Sequence, residues 1–433
     1  MDHNDYLTLS EDGKTVIRCR EDYEGSVEIP QGVTTIGCNA FSDCKDLTSI
    51  VIPQGVTTIG RYAFEGCTRL TSVEISDTVT WIGIGAFQGC MSLSSVEIPS
   101  SVTEICTSAF ASCIGLDAIL VDVNNPNYCS KDGVVYSKDM SILIAVPGIK
   151  KTVEIPNSVT KIGDFAFAGS TNLTSIEIPD SVTMIGNGAF TECPKLTSIE
   201  IPQGVTAIGC NAFSDSKNLT SIKIPQGVTT IGRSAFFGCE SLTSIEIPNS
   251  VTKIGLEAFC DCMRLTSIEI PDSVTEIGRG AFGGCESLTS IAIPDSVTKI
   301  GEDAFIWCPS LSSIEIPDSV TEIGPLAFIS CWSLTSIEIP DSVTKIGKRA
   351  FSDCRSLTSI EIPSSVTEIG ESTFEGCTSL VELHLKHKKP IDWTQAFASL
   401  DLSKITLFVP IGTGYAYRHH PFYSKFKEVV IER

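Results

Sequence analysis

Residues Leu242 to Arg264 read L-T-S-I-E-I-P-N-S-V-T-K-I-G-L-E-A-F-C-D-C-M-R, and the chain repeats this text with small changes along most of its length. Phe carries the phase. Phe41, Phe64, Phe87 and Phe110 stand 23 residues apart, and the series resumes at Phe167 and runs without slippage to Phe397. Leu242, Ile245 and Ile247 are spaced L-x-x-L-x-L, with the last two on one side of a strand, so residues 243–247 are predicted as a strand. Pro248 has no N–H and ends it, and Asn249-Ser250, or Asp-Ser and Gln-Gly in other copies, supplies turn chemistry. Val251, Thr252 and Ile254 set up a second, shorter strand closed by Gly255. Ala258, Phe259 and Cys262 have the spacing of one helical turn with its apolar side inward.

One such unit cannot bury its own apolar face, so identical rungs must stack and share a column of Leu, Ile, Val and Phe. The predicted fold is a β-rich repeat solenoid: a leucine-rich-repeat, right-handed curved superhelix with short strands and short helical turns in each rung. At about 4.8 Å per strand, roughly sixteen rungs span on the order of 75 Å. The period breaks between Phe110 and Phe167, where the text from Asn124 to Gly148 reads as strands joined by turns. The predicted organisation is an N-terminal cap over 1–24, the solenoid over 25–379 with an inserted hairpin at about 120–149, and a last rung with its cap over 380–433.

The formal net charge is -21, which excludes the clustered cations that phosphate backbones require. Nucleic acid is not an expected partner. The excess is uneven, with 23 basic and 47 acidic side chains in residues 1–379 but 8 and 5 in residues 380–433. No apolar run reaches membrane-spanning length, so no membrane insertion is expected, and Met1 to Asp5 are too polar for a signal-peptide core.

Eighteen cysteines are present, yet twelve of them share one phase of the repeat, from Cys44 through Cys377, and Ser170 and Ser216 fill that phase elsewhere. Tolerance of Ser shows that no bridge is required there, so these thiols are expected to be reduced, buried and space-filling. Cys260 and Cys262 form only C-x-C, without a second pair at zinc spacing. Cys106 replaces the repeat Gly, and an altered backbone is expected at that rung. His384 and His387 lie in strand-like text where residues three apart face opposite ways. No metal site and no cofactor are therefore expected. No nucleophile elbow, phosphate loop or H-E-x-x-H is present, and no catalytic residue is assigned.

The outward letters carry the functional information. Between the two inward residues of the first strand stands Glu at 28, 74, 97, 154, 177, 200, 246, 269, 315, 338 and 361, with Val51, Leu120, Lys223, Ala292 and His384 as exceptions. Like charges about 5 Å apart repel by roughly 1 kcal/mol even in water, so solvent and counterions or a cationic partner must absorb that cost. The candidate binding surface, for basic protein segments or Ca²⁺, is Glu177, Glu200, Lys223, Glu246, Glu269, Glu315, Glu338 and Glu361, and a solvated face copied with the repeat is its alternative. A second column, Lys253, Glu276, Lys299, Glu322, Lys345 and Glu368, alternates in sign and is read as structural. In the tail, Trp393, Phe397, Phe408, Tyr415, Tyr417, Arg418, Phe422, Tyr423 and Phe426 either cover the last rung or form an interaction site.

The phrase L-T-S-I-E-I-P-D-S-V-T-K-I-G-x-x-A-F-x-x-C resembles the BspA-like leucine-rich repeats of surface proteins of bacteria and some protozoa. The N-P-N-Y insert and residues 409–426 are similar to segments of that family as well. The resemblance implies a non-enzymatic, adhesin-like binding protein, cell-surface or secreted, whose partners are host or bacterial surface and matrix proteins or glycoproteins. A monomer is expected. The alternative is an intracellular protein-binding scaffold or regulator in the cytoplasm.

Overall fold

The computed structural model describes residues 6–432. Met1–Asp5, part of the expected N-terminal cap, and Arg433 lie outside the described residues. The chain resolves into two compact units that divide between Leu219 and Thr220. In each unit the backbone is a β-solenoid, with strands pairing in register with their equivalents 23 residues away, as Ser95 with Ala118 and Lys253 with Glu276.

The inward letters of the repeat make the core. Leu242, Val251, Ile254, Ala258, Phe259 and Cys262 are fully buried, and Ile245 and Ile247 nearly so. Like packs on like: Phe64 stacks on Phe87 at 5.2 Å in the first unit, and Phe259 on Phe282 at 5.6 Å in the second, each pair within 4° of parallel. Gly255 stands where the preceding rung passes close by. A Cβ there would lie 2.7 Å from the backbone of Gly232 and Arg233, closer than any carbon can sit. Cys106, at the equivalent position, nevertheless keeps the amide bond to Ile82 O at 2.9 Å that Gly60 makes to Ile36 O at 2.8 Å. The expected backbone change does not reach that bond.

The expected helical turn at Ala258–Cys262 takes another form. Glu257 and Asp261 hold left-handed φ of 54° and 58°, two residues either side of Phe259, and this alternation breaks any helical run. The amides of Glu257, Phe259 and Asp261 donate to the next rung, at Arg279 O, Ala281 O and Gly283 O over 2.7–2.9 Å. Those of Ala258, Cys260 and Cys262 close four-residue turns within their own rung. The segment's donors are thereby spent between rungs as well as within one, and among the described residues the single α-helix is Gly414–Arg418.

The second strand of the rung is as short as predicted. In the second unit it runs Thr230–Ile231, Lys253–Ile254, Glu276–Ile277 and onward through Lys299–Ile300, Glu322–Ile323, Lys345–Ile346 and Glu368–Ile369. The first strand is thinner than the predicted 243–247. It is a full ladder at Ser95–Ile98 beside Ala118–Val121, but at Glu246 it shrinks to single bridges with Lys223 and Glu269. The neighbouring Thr289 amide reaches Thr266 O at 3.4 Å, at the long limit for a hydrogen bond, and Pro248 contributes no donor.

Between Phe110 and Phe167 the chain leaves the repeat. Tyr128–Lys131, Val134–Ser137 and Ile142–Ala145 pair antiparallel in turn, and Ile142–Ala145 then runs parallel to Lys161–Ile162, where a second strand of the rung belongs. This strand takes over a bond of the Phe turn, with the Val146 amide donating to Ala166 O at 2.8 Å, while Ser112 still donates to Ala168 O at 2.8 Å. The rungs therefore meet at one end of the turn and splay at the other. A cleft of about 220 Å³ opens there, lined by Cys106, Phe110, Ile144, Lys161 and Phe165 among others.

At the N-terminal end Leu7–Leu9 folds antiparallel onto Thr15–Cys19, which pairs with Thr35–Ile36. At the other end Glu382–Leu385, Thr406–Val409 and Glu428–Ile431 extend the sheet in parallel. Over them Trp393, Phe397, Tyr417, Phe422, Tyr423 and Phe426 are buried. Tyr417 donates to His387 O at 3.0 Å and Tyr423 to Ile391 O at 2.8 Å.

Candidate binding surface

A strand alternates its side chains across the sheet, so Ile245 and Ile247 turn inward and Glu246 outward. Glu177 and Glu200 in the first unit are exposed, as are Lys223, Glu246, Glu269, Glu315, Glu338 and Glu361 in the second. The bridges set Lys223, Glu246 and Glu269 side by side on consecutive rungs. None of Glu177, Glu246, Glu269, Glu315 and Glu338 makes an ion pair among the described residues. Glu361 differs, because Lys386 Nζ lies 3.1 Å from it and 2.8 Å from Glu432, so its charge is met from within. In the first unit Val51 and Leu120 break the column as exposed apolar side chains.

The second-strand column behaves in the opposite way. Lys253 reaches Glu276 at 3.4 Å, Lys299 reaches Glu322 at 2.8 Å, and Lys345 spans Glu322 and Glu368 at 3.9 and 3.7 Å. Its charges are spent on the fold, as their alternation predicts. The first-strand Glu residues have no such use.

A further acidic column escapes sequence reasoning, which reads the residue after each Pro only as turn chemistry. Asp180, Asp272, Asp295, Asp318 and Asp341 are all exposed. In the first unit Asp180 shares with Glu154 and Glu177 an open, polar depression of about 820 Å³. The recurrence of Asp one residue beyond Pro is the signal that could have found it.

The column cysteines are free and buried. Cys262 and Cys285 donate to the carbonyls of Phe236 and Phe259, each at 3.3 Å, and Ser216 makes the same bond to Phe190 O at 2.8 Å, which is why Ser can replace Cys. Ser170 follows the insert, where the rungs splay, and its hydroxyl is buried without a partner. Burial pushes the thiols of Cys113, Cys193 and Cys377 up to about 12, so none serves as a nucleophile near neutrality. His384 is partly exposed, stacked on Phe408 at 4.3 Å and bonded to Glu432, whereas His387 is buried. The two rings face different ways. Among the described residues no group of three or more His, Cys, Asp or Glu is gathered to hold a metal ion, and no helix is long and apolar enough to cross a membrane.

The repeat, its register and its outward acidic letters agree with one family. The family model described as "BspA type Leucine rich repeat region (6 copies)" matches residues 23–129, 149–266, 252–381 and 298–413. The chain belongs to this family. The internal stretch that the match omits in this BspA-type chain, residues 130–148, holds most of the inserted strands. A leucine-rich repeat protein from Bacteroides ovatus ATCC 8483 is 32% identical with a TM-score of 0.54, over 88% of this chain and 94% of that one. One from Eubacterium ventriosum ATCC 27560 is 27% identical with a TM-score of 0.56, over 70% and 82%. No curated protein matches the chain. Leucine-rich repeat proteins generally bind protein ligands.

Proposed function

We propose that this chain is a non-enzymatic, adhesin-like binding protein of the cell surface, working as a monomer without a cofactor. Its exposed acidic columns take up basic segments of host or bacterial surface and matrix proteins. One contrast supports the reading: Glu276, Glu322 and Glu368 are each met by a lysine of a neighbouring rung, while Glu246, Glu269, Glu315 and Glu338 are left exposed. Aligned like charges cost stability in the free protein, and a partner carrying Lys or Arg in an extended segment relieves that cost on binding. Among the described residues no third His, Cys, Asp or Glu gathers beside any pair of these carboxylates, which favours a basic peptide over Ca²⁺.

The test is binding of the full chain to a panel of immobilised extracellular-matrix proteins, beside a variant with Glu246, Glu269, Glu315 and Glu338 each changed to Gln. The expected result is binding that weakens with salt and falls about tenfold or more in the variant. Equal binding by the two proteins removes the acidic face from the function. A rise in melting temperature on adding Ca²⁺, lost in the variant, would replace the basic segment with the cation.

A further inference from the structure

Two rungs of the second unit carry tryptophans where the repeat has no structural need of them. Trp307 sits two residues after the buried Phe305, in left-handed backbone at φ 57°. The same phase is filled elsewhere by Gly66, Gly89, Gly238, Gly284 and Gly376, or by Asp, Ser or Glu, small or polar residues that tolerate this conformation or hydrogen-bond locally. A bulky aromatic there is strained, and strain kept without a packing return marks function. Its side chain is not buried: Trp307 is 54% exposed.

Trp332, on the following rung, stands edge-on to it, with ring centroids 6.0 Å apart and planes at 63°. It is 38% exposed, and Arg355 of the rung after lies over its ring at 5.4 Å. Arg355 in turn donates to Asp353 Oδ1 at 3.2 and 3.3 Å, and neither bond uses Oδ2. Three successive rungs thus present an open indole, a second indole held between that ring and a guanidinium, and an exposed Arg–carboxylate pair. Nothing in the repeat requires this row, since Thr68, Thr171 and Thr378 occupy the phase of Trp332 and Arg355 elsewhere.

We propose that Trp307, Trp332, Arg355 and Asp353 form a glycan-binding platform for a pyranose oligosaccharide of two or more units. A pyranose has an apolar C–H face that stacks on an indole and a rim of hydroxyls that both donate and accept hydrogen bonds. Trp307 supplies the stacking face, Trp332 fixes its orientation through an edge contact, and the cation over Trp332 holds that ring in place. Arg355 donates and Asp353 Oδ2 accepts from hydroxyls of the next unit along. The rung spacing of about 4.8 Å is close to the length of one sugar, so neighbouring rungs address neighbouring units. A basic peptide is a poorer fit, because Arg355 already covers the cation-binding face of Trp332. The platform does not rest on the acidic columns and would stand if they proved inert.

The test uses replacements that the chain already carries in these phases, Trp307→Gly and Trp332→Thr, so that the rungs keep their backbone. The fluorescently labelled full chain and the double variant are applied to a microarray of immobilised mammalian, plant and bacterial oligosaccharides, and array-positive sugars are titrated in solution against tryptophan emission. The expected result is a set of glycans bound by the native chain, with roughly tenfold or greater loss in W307G/W332T, a smaller loss in R355T, and no change in K299A, which alters only the structural ion-pair column. Native-like melting of W307G/W332T shows that the loss is local. The proposal is overturned if no array glycan is retained above the level of the double variant, or if the double variant binds as well as the native chain. It is also overturned if the tryptophan changes abolish binding to a protein partner while leaving every glycan unaffected.

Discussion

At the scale of the residue, buried polar side chains such as Ser216 and Cys262 bond to a carbonyl of a neighbouring rung, so the informative atoms are the buried ones left without a partner. His387 carries such an atom. It is buried, its Nε2 donates to Val366 O at 2.8 Å, and its Nδ1 has no partner. Burial lowers its pKa from the ordinary 6.5, because protonating Nδ1 would place a charge with no acceptor beside it. The sign follows: the unfolded chain takes up the proton first, so the contribution of neutral His387 is present above about pH 6.5 and is lost as pH falls toward the lower folded value. Thermal melts from pH 8 to pH 5 are expected to show a falling melting temperature at the C-terminal end of the second unit, and H387Q is expected to flatten that fall. An unchanged slope in the variant would assign the pH dependence to other groups.

At the scale of the element, the rung is held less by any helix or strand of its own than by bonds to the rung before and the rung after. Second-strand amides donate backward, as Gly255 to Ile231 O, and turn amides donate forward, as Phe259 to Ala281 O. A repeat built in this way is cooperative with its neighbours, and its stability is approximately a sum of interface contributions. The exposed ion-pair column adds little to that sum. Lys299→Ala removes the 2.8 Å contact with Glu322, which sits between side chains that are 55% and 28% exposed. The expected cost is below about 1 kcal/mol, read as a small shift in urea midpoint that disappears at high ionic strength. A larger, salt-independent loss would mean that the lysine stem, rather than its charge, is the contributing part.

At the scale of the whole molecule, a solenoid must close the open end of its core. The last strands, Thr406–Val409 and Glu428–Ile431, lie beyond Glu382–Leu385, with Leu383, Leu385, Leu407 and Val409 fully buried. Deleting residues 400–433 strips both strands together with Tyr417 and Tyr423, exposing the apolar edge at Leu383 and Leu385. The expected outcome is an insoluble or aggregating protein, measured by soluble yield and size-exclusion chromatography. A soluble, monomeric product that had lost ligand binding would instead make Tyr415, Arg418 and their neighbours an interaction site.

Periodicity by itself determined which side chains face the core. A repeat of 23 residues with Leu, Ile, Val, Phe and Cys in constant phase can be satisfied only by stacking, and burial follows phase with few departures. The exposure of Glu177 through Glu361, the pairing of Lys299 with Glu322 and the burial of the column thiols were legible for the same reason. The form of the Phe turn was not, because i, i+1, i+4 spacing is shared by a helical turn and by a run of turns. The choice was made by left-handed residues at positions such as Glu257 and Asp261, whose amides find carbonyls only on the next rung. Nor could the one-dimensional text show that Lys386 neutralises Glu361, that Asp180 joins Glu154 and Glu177 in one depression, or that Trp307, Trp332 and Arg355 line up in a row. Glu177 and Asp180 apart, those pairings join residues 23 or more apart in sequence, and only the stacking register brings them together.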